Sequence, residues 1–538
     1  MAQKDVRYDP WDWITYKNSK LVSSIAEGRE YIYFGTNGGV IRYHIFGKFW
    51  DFPITRSQGL PDDEITAVYY DMHTNILWAA SQSTLSFSAD GGRQWHTTTK
   101  EELGLRLRES IVRLGSTSDD LWCVTTSQIL RIDRLSGFVV APYAQLPKEE
   151  VVWGSLPEVG SVESVLNDFT AMQGWVNDLG IFHGPGFQEV PVSTILVDRF
   201  GDIWVGTWRG PIFYGDFQMR LLEPLEYGPA QTNVEIVLRS PRGLWTAGIS
   251  VGSEQSGISL YDSRREIWDY YRVGSEILFG DSDVFCGVQV GDEWWFGTTS
   301  GIQVFTPAKD SWFLISEAKG LPDVKITRIA YDGQYVYAGT PSGVVRLLPA
   351  TRKRVPWELA KTLRNWSIRE LHWDGNYLWL STSFDLWRWD SSTGEVKRLR
   401  LTNSRLPGLT EKETGLLSPV SAIASSDSMV YFGDEYGLLS YDKSAGRWKR
   451  YSGKAGLIGF QMLSLALSKN PSSDDVIIWM GTRKGVLAFN SSTGYVRHFT
   501  EKDGLPSDEV RTVVIDENIA WFGTPEGLVR FQWEEYLK

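Results

Sequence analysis

The chain has 538 residues, a formal net charge of −12 and 22% charged side chains, a balance that argues against a nucleic-acid backbone as partner. It is 42% hydrophobic, yet no apolar run reaches the roughly 20 residues a helix needs to cross a bilayer, so no membrane insertion is expected. Its two cysteines build neither a disulfide framework nor a zinc pattern; Cys123 and Cys286 fall in expected strands, where a thiol packs as a small apolar group.

The N-terminus, Met1-Ala2-Gln3-Lys4, has no charged leader and no apolar core of a signal peptide. Two readings follow: a cytoplasmic chain, or one whose signal peptide has been removed, with Met1 added ahead of Ala2-Gln3. Asp9 to Tyr16, DPWDWITY, has the aromatic character of the outer strand of a sheet. Tyr31 to Tyr43, YIYFGTNGGVIRY, then introduces the pattern that fills the chain. One alternating run ends in Gly-Thr, a tight turn follows, and a second alternating run returns, which reads as a β-hairpin.

Close copies are Ile203–Tyr214, Trp294–Phe305, Val336–Leu347, Val430–Tyr441, Ile478–Phe489 and Asn518–Phe531. Looser ones are Leu77–Phe87, Leu121–Ile132, Leu244–Tyr261 and Leu378–Trp389, and the weakest is Gly174–His183, GWVNDLGIFH. About twelve copies spaced roughly 45 residues apart signal a solenoid, propeller or array. Upstream of the hairpin lies another short run, such as Arg511–Asp516, and downstream an aromatic one, such as Arg447–Tyr451. Four short strands per unit make one blade of a β-propeller, and no helical periodicity competes with that reading.

The expected fold is therefore all-β, a propeller of about twelve four-stranded blades, closed as two rings of about six. A break near Asp262 to Gly274 gives residues 1–265 as the first propeller and 266–538 as the second; seven plus five, or a single twelve-bladed ring, are the alternatives. The N-terminal strand would complete an open blade and so remove an exposed edge. The glycines serve close strand approach and positive-φ turns, the threonines cap strand ends, and most of the 25 tryptophans pack between blades. Irregular stretches at Pro142–Val165, Val251–Ser256, Leu399–Pro419 and Lys469–Asp475 read as insertions.

Ser88 to Trp95, SADGGRQW, resembles the Asp-box turn of sialidase-like propellers; its plainer reading is a turn in which Asp90 bonds local backbone. Gly-Leu-Pro, an inner strand ending in Asp, then an aromatic-Gly-Thr hairpin, resembles the two-component regulator propeller repeat. The best matches are Gly504–Arg530, Gly320–Arg346 and Gly59–Trp78, the last followed by Ala79-Ala80 in place of Gly-Thr. This resemblance implies an extracytoplasmic sensor region of a hybrid histidine kinase, recognising carbohydrate fragments through paired propellers, or a free-standing envelope or secretion accessory protein. Without a transmembrane, kinase, receiver or DNA-binding segment in the sequence, an excised sensor part or a free-standing propeller is expected, periplasmic or extracellular.

No catalytic residue is assigned, and an enzyme is not the expected class. His44, His73, His96, His183, His372 and His498 are scattered along the chain, with no HExxH, no phosphate loop and no G-x-S-x-G elbow; neither metal nor cofactor is expected. Recognition is expected at the hairpin turns, which vary while the strands repeat. Trp208-Arg209, Phe384-Asp385, Glu435-Tyr436 and Arg483-Lys484 are the candidates, because aromatic faces and directed donors suit a sugar or a side chain. The expected partner is a small carbohydrate-like ligand, or another protein bound through a propeller face.

Overall fold

The computed structural model describes the chain apart from residues 1–6, 149, 155–164, 179, 186–188, 253–256, 273–282, 401–405, 411–412, 414–418, 452–455, 471–472, 474 and 538. The four insertions expected at Pro142–Val165, Val251–Ser256, Leu399–Pro419 and Lys469–Asp475 lie partly outside the described residues.

The hairpins form where the alternation places them, and their turns explain the Gly-Thr signature. In several of them the buried threonine hydroxyl donates to the carbonyl three residues on, as in Thr298 to Gly301 at 3.0 Å, Thr340 to Gly343 at 2.9 Å, Thr482 to Gly485 at 2.7 Å and Thr524 to Gly527 at 2.9 Å. The same oxygen accepts the N–H two residues on, from Ser300, Ser342, Lys484 and Glu526. Each turn thus satisfies its own polar groups while buried. The closing glycine is obligatory where Gly485 has φ +97° and a Cβ would stand 2.1 Å from the Phe499 carbonyl oxygen.

Each hairpin is flanked by an inner and an outer strand. Met462–Lys469, Val476–Thr482, Gly485–Asn490 and Val496–Phe499 pair antiparallel in that order, and eleven sheets are present among the described residues. Indoles fill the space between neighbouring sheets. Trp78, Trp204, Trp245, Trp295, Trp379, Trp479 and Trp521 are all less than 2% exposed. Burying such a side chain is worth roughly 4–6 kcal/mol gross, which explains the tryptophan count without invoking a ligand. Cys123 and Cys286 are buried in strands, and burial pushes the Cys286 thiol up to about 12.

The chain divides into two compact units, Tyr8–Pro229 with Tyr261–Asp269, and Ala230–Leu260 with Tyr270–Lys538. In the C-terminal unit the inner strands Asn233–Ser240, Val284–Val290, Arg328–Tyr331, Glu370–Trp373, Ala422–Ser425, Met462–Lys469 and Thr512–Asp516 follow one another. The first packs back against the last, where Arg511 pairs with Glu235 and Arg239 reaches Asp516 at 2.7 Å.

In the N-terminal unit three sheets begin at Val22, Ile65 and Ile111, and the fourth is seven-stranded. The weak copy Gly174–His183, expected to be a blade of its own, is instead part of that larger sheet. Val176–Asp178 pairs with Ile181–His183, which pairs with the start of the long strand Glu189–Val197; the remainder of that strand pairs with Ile203–Thr207. Lacking the Gly-Thr cap, this hairpin extends its neighbour's inner strand.

Candidate functional site

The eight turn residues occupy four separate hairpin turns. In the N-terminal unit Trp208 is 45% exposed and donates its N–H to the Pro191 carbonyl at 2.9 Å, while Arg209 has φ +72° and donates to the Lys20 carbonyl at 2.9 Å. In the C-terminal unit Phe384 is 71% exposed and stands edge-on to Trp366. Asp385 points inward instead: it is buried and accepts from the Arg398 guanidinium at 2.7 Å. Glu435 is exposed and Tyr436 half-buried, its N–H on Asp434 Oδ1 at 2.9 Å. Arg483 lies 3.7 Å from Glu509, and the Lys484 carbonyl accepts from the His498 ring. None of the eight is among the residues that line the cleft at Tyr31, Tyr33 and Tyr70.

The more concave feature lies at the opposite end of the strands. A cleft of about 300 Å³, at the lower end of small-molecule sites, opens between the first two sheets of the N-terminal unit. Strand alternation puts Tyr31 and Tyr33 on one face of Tyr31–Thr36, with Arg42 directly opposite Tyr33 on the next strand. Tyr70, from the second sheet, stacks on Tyr33 with centroids 5.7 Å apart and planes within 9°. Exposed Arg29 and Glu30 stand at the turn above, and Asn75 stands opposite.

The polar groups beneath are committed to fixing this wall. Arg42 is buried, donates Nε–H to the Phe52 carbonyl at 3.1 Å, pairs with Asp51 at 3.1 Å, and spreads over the rings of Trp11 and Tyr31. Tyr31 donates its hydroxyl to Asp51 at 2.9 Å, and Tyr70 donates to Asn75 at 3.4 Å. Burial, then the Asp51 carboxylate, pushes the Tyr31 phenol up to about 12; burial raises Tyr33 and Tyr70 as well. The phenols stay neutral donors across physiological pH. Arg29, whose guanidinium is 3.4 Å from the Met72 carbonyl, presents a cation at the rim beside the Glu30 carboxylate. Flat rings, a guanidinium, a carboxylate and an amide suit the binding of a hydroxyl-rich ring.

The Asp-box-like turn supplies the far wall through Ala89 and Gly91. Asp90 accepts from the Ser88 hydroxyl at 2.8 Å and from the N–H groups of Arg93 and Gln94 at 3.0 Å, so its role is to shape the turn. The signal missed in the sequence was the Tyr31-x-Tyr33 alternation facing Arg42. Among the described residues no group of three or more His, Cys, Asp or Glu side chains is placed to hold a metal ion. No helix there is long and apolar enough to cross a membrane.

Residues 186–209 match the family model described as two component regulator propeller, so the chain carries that repeat over Glu189–Val197 and the hairpin strand that follows. No curated protein matches the sequence. Among solved structures the chain is similar to PorZ, a surface component of the type-IX secretion system of Porphyromonas gingivalis, with 13% identity, 97% of this chain and 87% of that one covered, and a TM-score of 0.63. It is also similar to the extracellular domain of the putative hybrid two component system BT3049 from B. thetaiotaomicron, with 16% identity, 94% and 60% coverage, and a TM-score of 0.44. The likeness to PorZ, with the recurring four-stranded antiparallel sheets, makes this a β-propeller fold.

Proposed function

We propose that the chain is a non-enzymatic recognition propeller working outside the cytoplasm, and that the cleft between its first two sheets holds a small carbohydrate fragment. The observation that carries this reading is the tyrosine wall of Tyr31, Tyr33 and Tyr70, fixed from behind by Arg42 and Asp51 and flanked by Arg29, Glu30 and Asn75. Aromatic faces take the C–H side of a sugar ring while the rim groups take its hydroxyls. The two-component regulator propeller repeat supports a sensing role, and the series of seven inner strands in the C-terminal unit supports a seven-bladed ring there.

The test is a glycan array followed by titration of the best saccharide against the wild type and Tyr31→Ala. Binding that weakens at least about tenfold in the variant supports the site. No saccharide bound by well-folded protein, or binding unchanged in Tyr31→Ala, removes it.

A second reading, a scaffold that docks another protein, is favoured by one observation. Phe46, Phe49 and Phe200 are 63%, 44% and 56% exposed, and Phe46 meets Phe200 edge-on at 5.8 Å, close to Tyr31 through His44. Exposed aromatic clusters of this kind mark interaction surfaces. Cross-linking in the source cells, compared between the wild type and Phe46→Ser/Phe200→Ser, tests it; an unchanged cross-link pattern counts against docking at this patch.

A further inference from the structure

A second cleft, of about 320 Å³, lies in the C-terminal unit beside the sheet Met462–Phe499. Asn470 and Asp475 come from the turn between its inner and second strands, Asn490 and Thr493 from the turn between its third and outer strands, and Tyr495 and Leu537 complete the wall. The lining differs from that of the tyrosine cleft in one respect that decides its ligand. Among the described residues that line it there is no lysine or arginine, and the one charged group is Asp475.

That carboxylate is held in place. Asn490 Nδ2 donates to Asp475 Oδ2 at 3.1 Å, and Asn490 Oδ1 is itself fixed by the N–H groups of Ser492 at 2.9 Å and Thr493 at 3.0 Å. Hydrogen bonds from Asn490, Ser492 and Ser473 hold the Asp475 carboxyl below its ordinary range, so it is ionised at neutral pH. Tyr495 is 56% exposed and is anchored through its N–H on Thr493 Oγ1 at 3.2 Å. An anionic ligand meets a like charge here, with no cation among the described lining residues to offset it. A neutral polyol satisfies hydroxyl-bonding groups but leaves the carboxylate without a counter-charge. A protonated amine does both: it donates a charge-assisted hydrogen bond to Asp475, and its cation gains the face of Tyr495.

We propose that the cleft formed by Asp475, Asn490, Thr493 and Tyr495 is a second binding site that takes a protonated primary amine on a small stem. The amine can belong to an amino sugar or to a lysine-like side chain, and matched probes separate the two. The wild type is titrated by saturation-transfer NMR with glucosamine against N-acetylglucosamine, and with Nα-acetyl-lysine amide against its Nε-acetylated form.

The expected result is that the free amine of at least one pair binds about tenfold or more tightly than its acetylated partner. The pair showing the preference names the source. The preference shrinks at high salt, as expected for an accessible charge. It disappears in Asp475→Asn and falls several-fold in Tyr495→Ala. Equal binding of acetylated and free probes, no binding of either amine, or a preference that survives Asp475→Asn overturns the proposal. Tyr31→Ala leaves amine binding intact, and Asp475→Asn leaves saccharide binding at the tyrosine cleft intact, so the two sites fail independently and each variant controls the folding of the other.

Discussion

Arg450 forks onto Asp434, with its guanidinium nitrogens 3.1 and 2.6 Å from the two carboxylate oxygens and both side chains fully buried. Asp434 stands where the other close hairpin copies carry threonine, and its Oδ1 accepts the N–H of Tyr436 just as the threonine oxygen accepts in those turns. The carboxylate has replaced the hydroxyl, and the arginine neutralises it.

Removing one partner leaves the other charge buried. Asp434→Ala is therefore expected to destabilise the C-terminal unit by about 3–5 kcal/mol, read from urea denaturation. The double variant Asp434→Thr/Arg450→Leu restores the local chemistry of the sister repeats and should recover most of that loss. A double variant no better than the single one would show that the pair contributes more than mutual neutralisation.

Arg42→Lys tests whether the tyrosine cleft depends on a planar fork. Guanidinium reaches Asp51 and the Phe52 carbonyl together while lying 4.8 Å from the Trp11 ring centroid and 5.2 Å from that of Tyr31. An ammonium cannot hold that geometry. A loss of about 1–3 kcal/mol on thermal denaturation is expected, with weaker saccharide binding although Arg42 itself is buried. Wild-type melting and binding would show that Tyr31 and Asp51 hold the wall without it.

The interior of the N-terminal unit makes a third test. Gly154 donates its N–H to the Leu114 carbonyl at 3.1 Å, and a Cβ there would stand 3.3, 3.5 and 3.6 Å from the carbonyl oxygens of Val68, Ile25 and Leu114, on three different inner strands. Trp153, paired with Gly115, lies under the Arg113 guanidinium at 4.4 Å. Gly154→Val should cost about 1–3 kcal/mol by overpacking, and Gly154→Ala much less. A silent Gly154→Val would mean that the inner strands yield.

How much of this was legible in the sequence follows from the range of each interaction. Hairpins with Gly-Thr turns depend on neighbours three or four residues apart, so alternation and turn chemistry revealed them. The inward turn of Asp385 depends on register, because a one-residue offset moves a side chain to the other face of the strand, and a turn motif does not carry that information. Tyr33 and Tyr70 meet across two sheets, and Arg511 meets Glu235 only because the series of sheets returns to its start. Such contacts join distant parts of the chain, and no local period encodes them. The weak copy Gly174–His183 shows the same limit: its hairpin was visible, but not the long strand that absorbs it.

The last prediction concerns pH. His372 Nε2 lies 2.8 Å from the Ser425 hydroxyl on the neighbouring inner strand. Burial pushes the imidazole down to about 4, against the pull of Asp374 and with the help of Lys443. In the unfolded chain its ordinary value is about 6.5, so between those values the unfolded state binds more protons than the folded one. The stability tied to neutral His372 is thus fully present above about pH 6.5 and is lost as the pH falls toward 4, by at most about 3.5 kcal/mol at roughly 1.4 kcal/mol per pH unit. His372→Gln keeps a partner for Ser425 and cannot titrate. Urea midpoints at pH 7.5, 5.5 and 4.5 should therefore fall more steeply in the wild type than in the variant, and parallel curves would mean that the imidazole protonates without leaving the folded state.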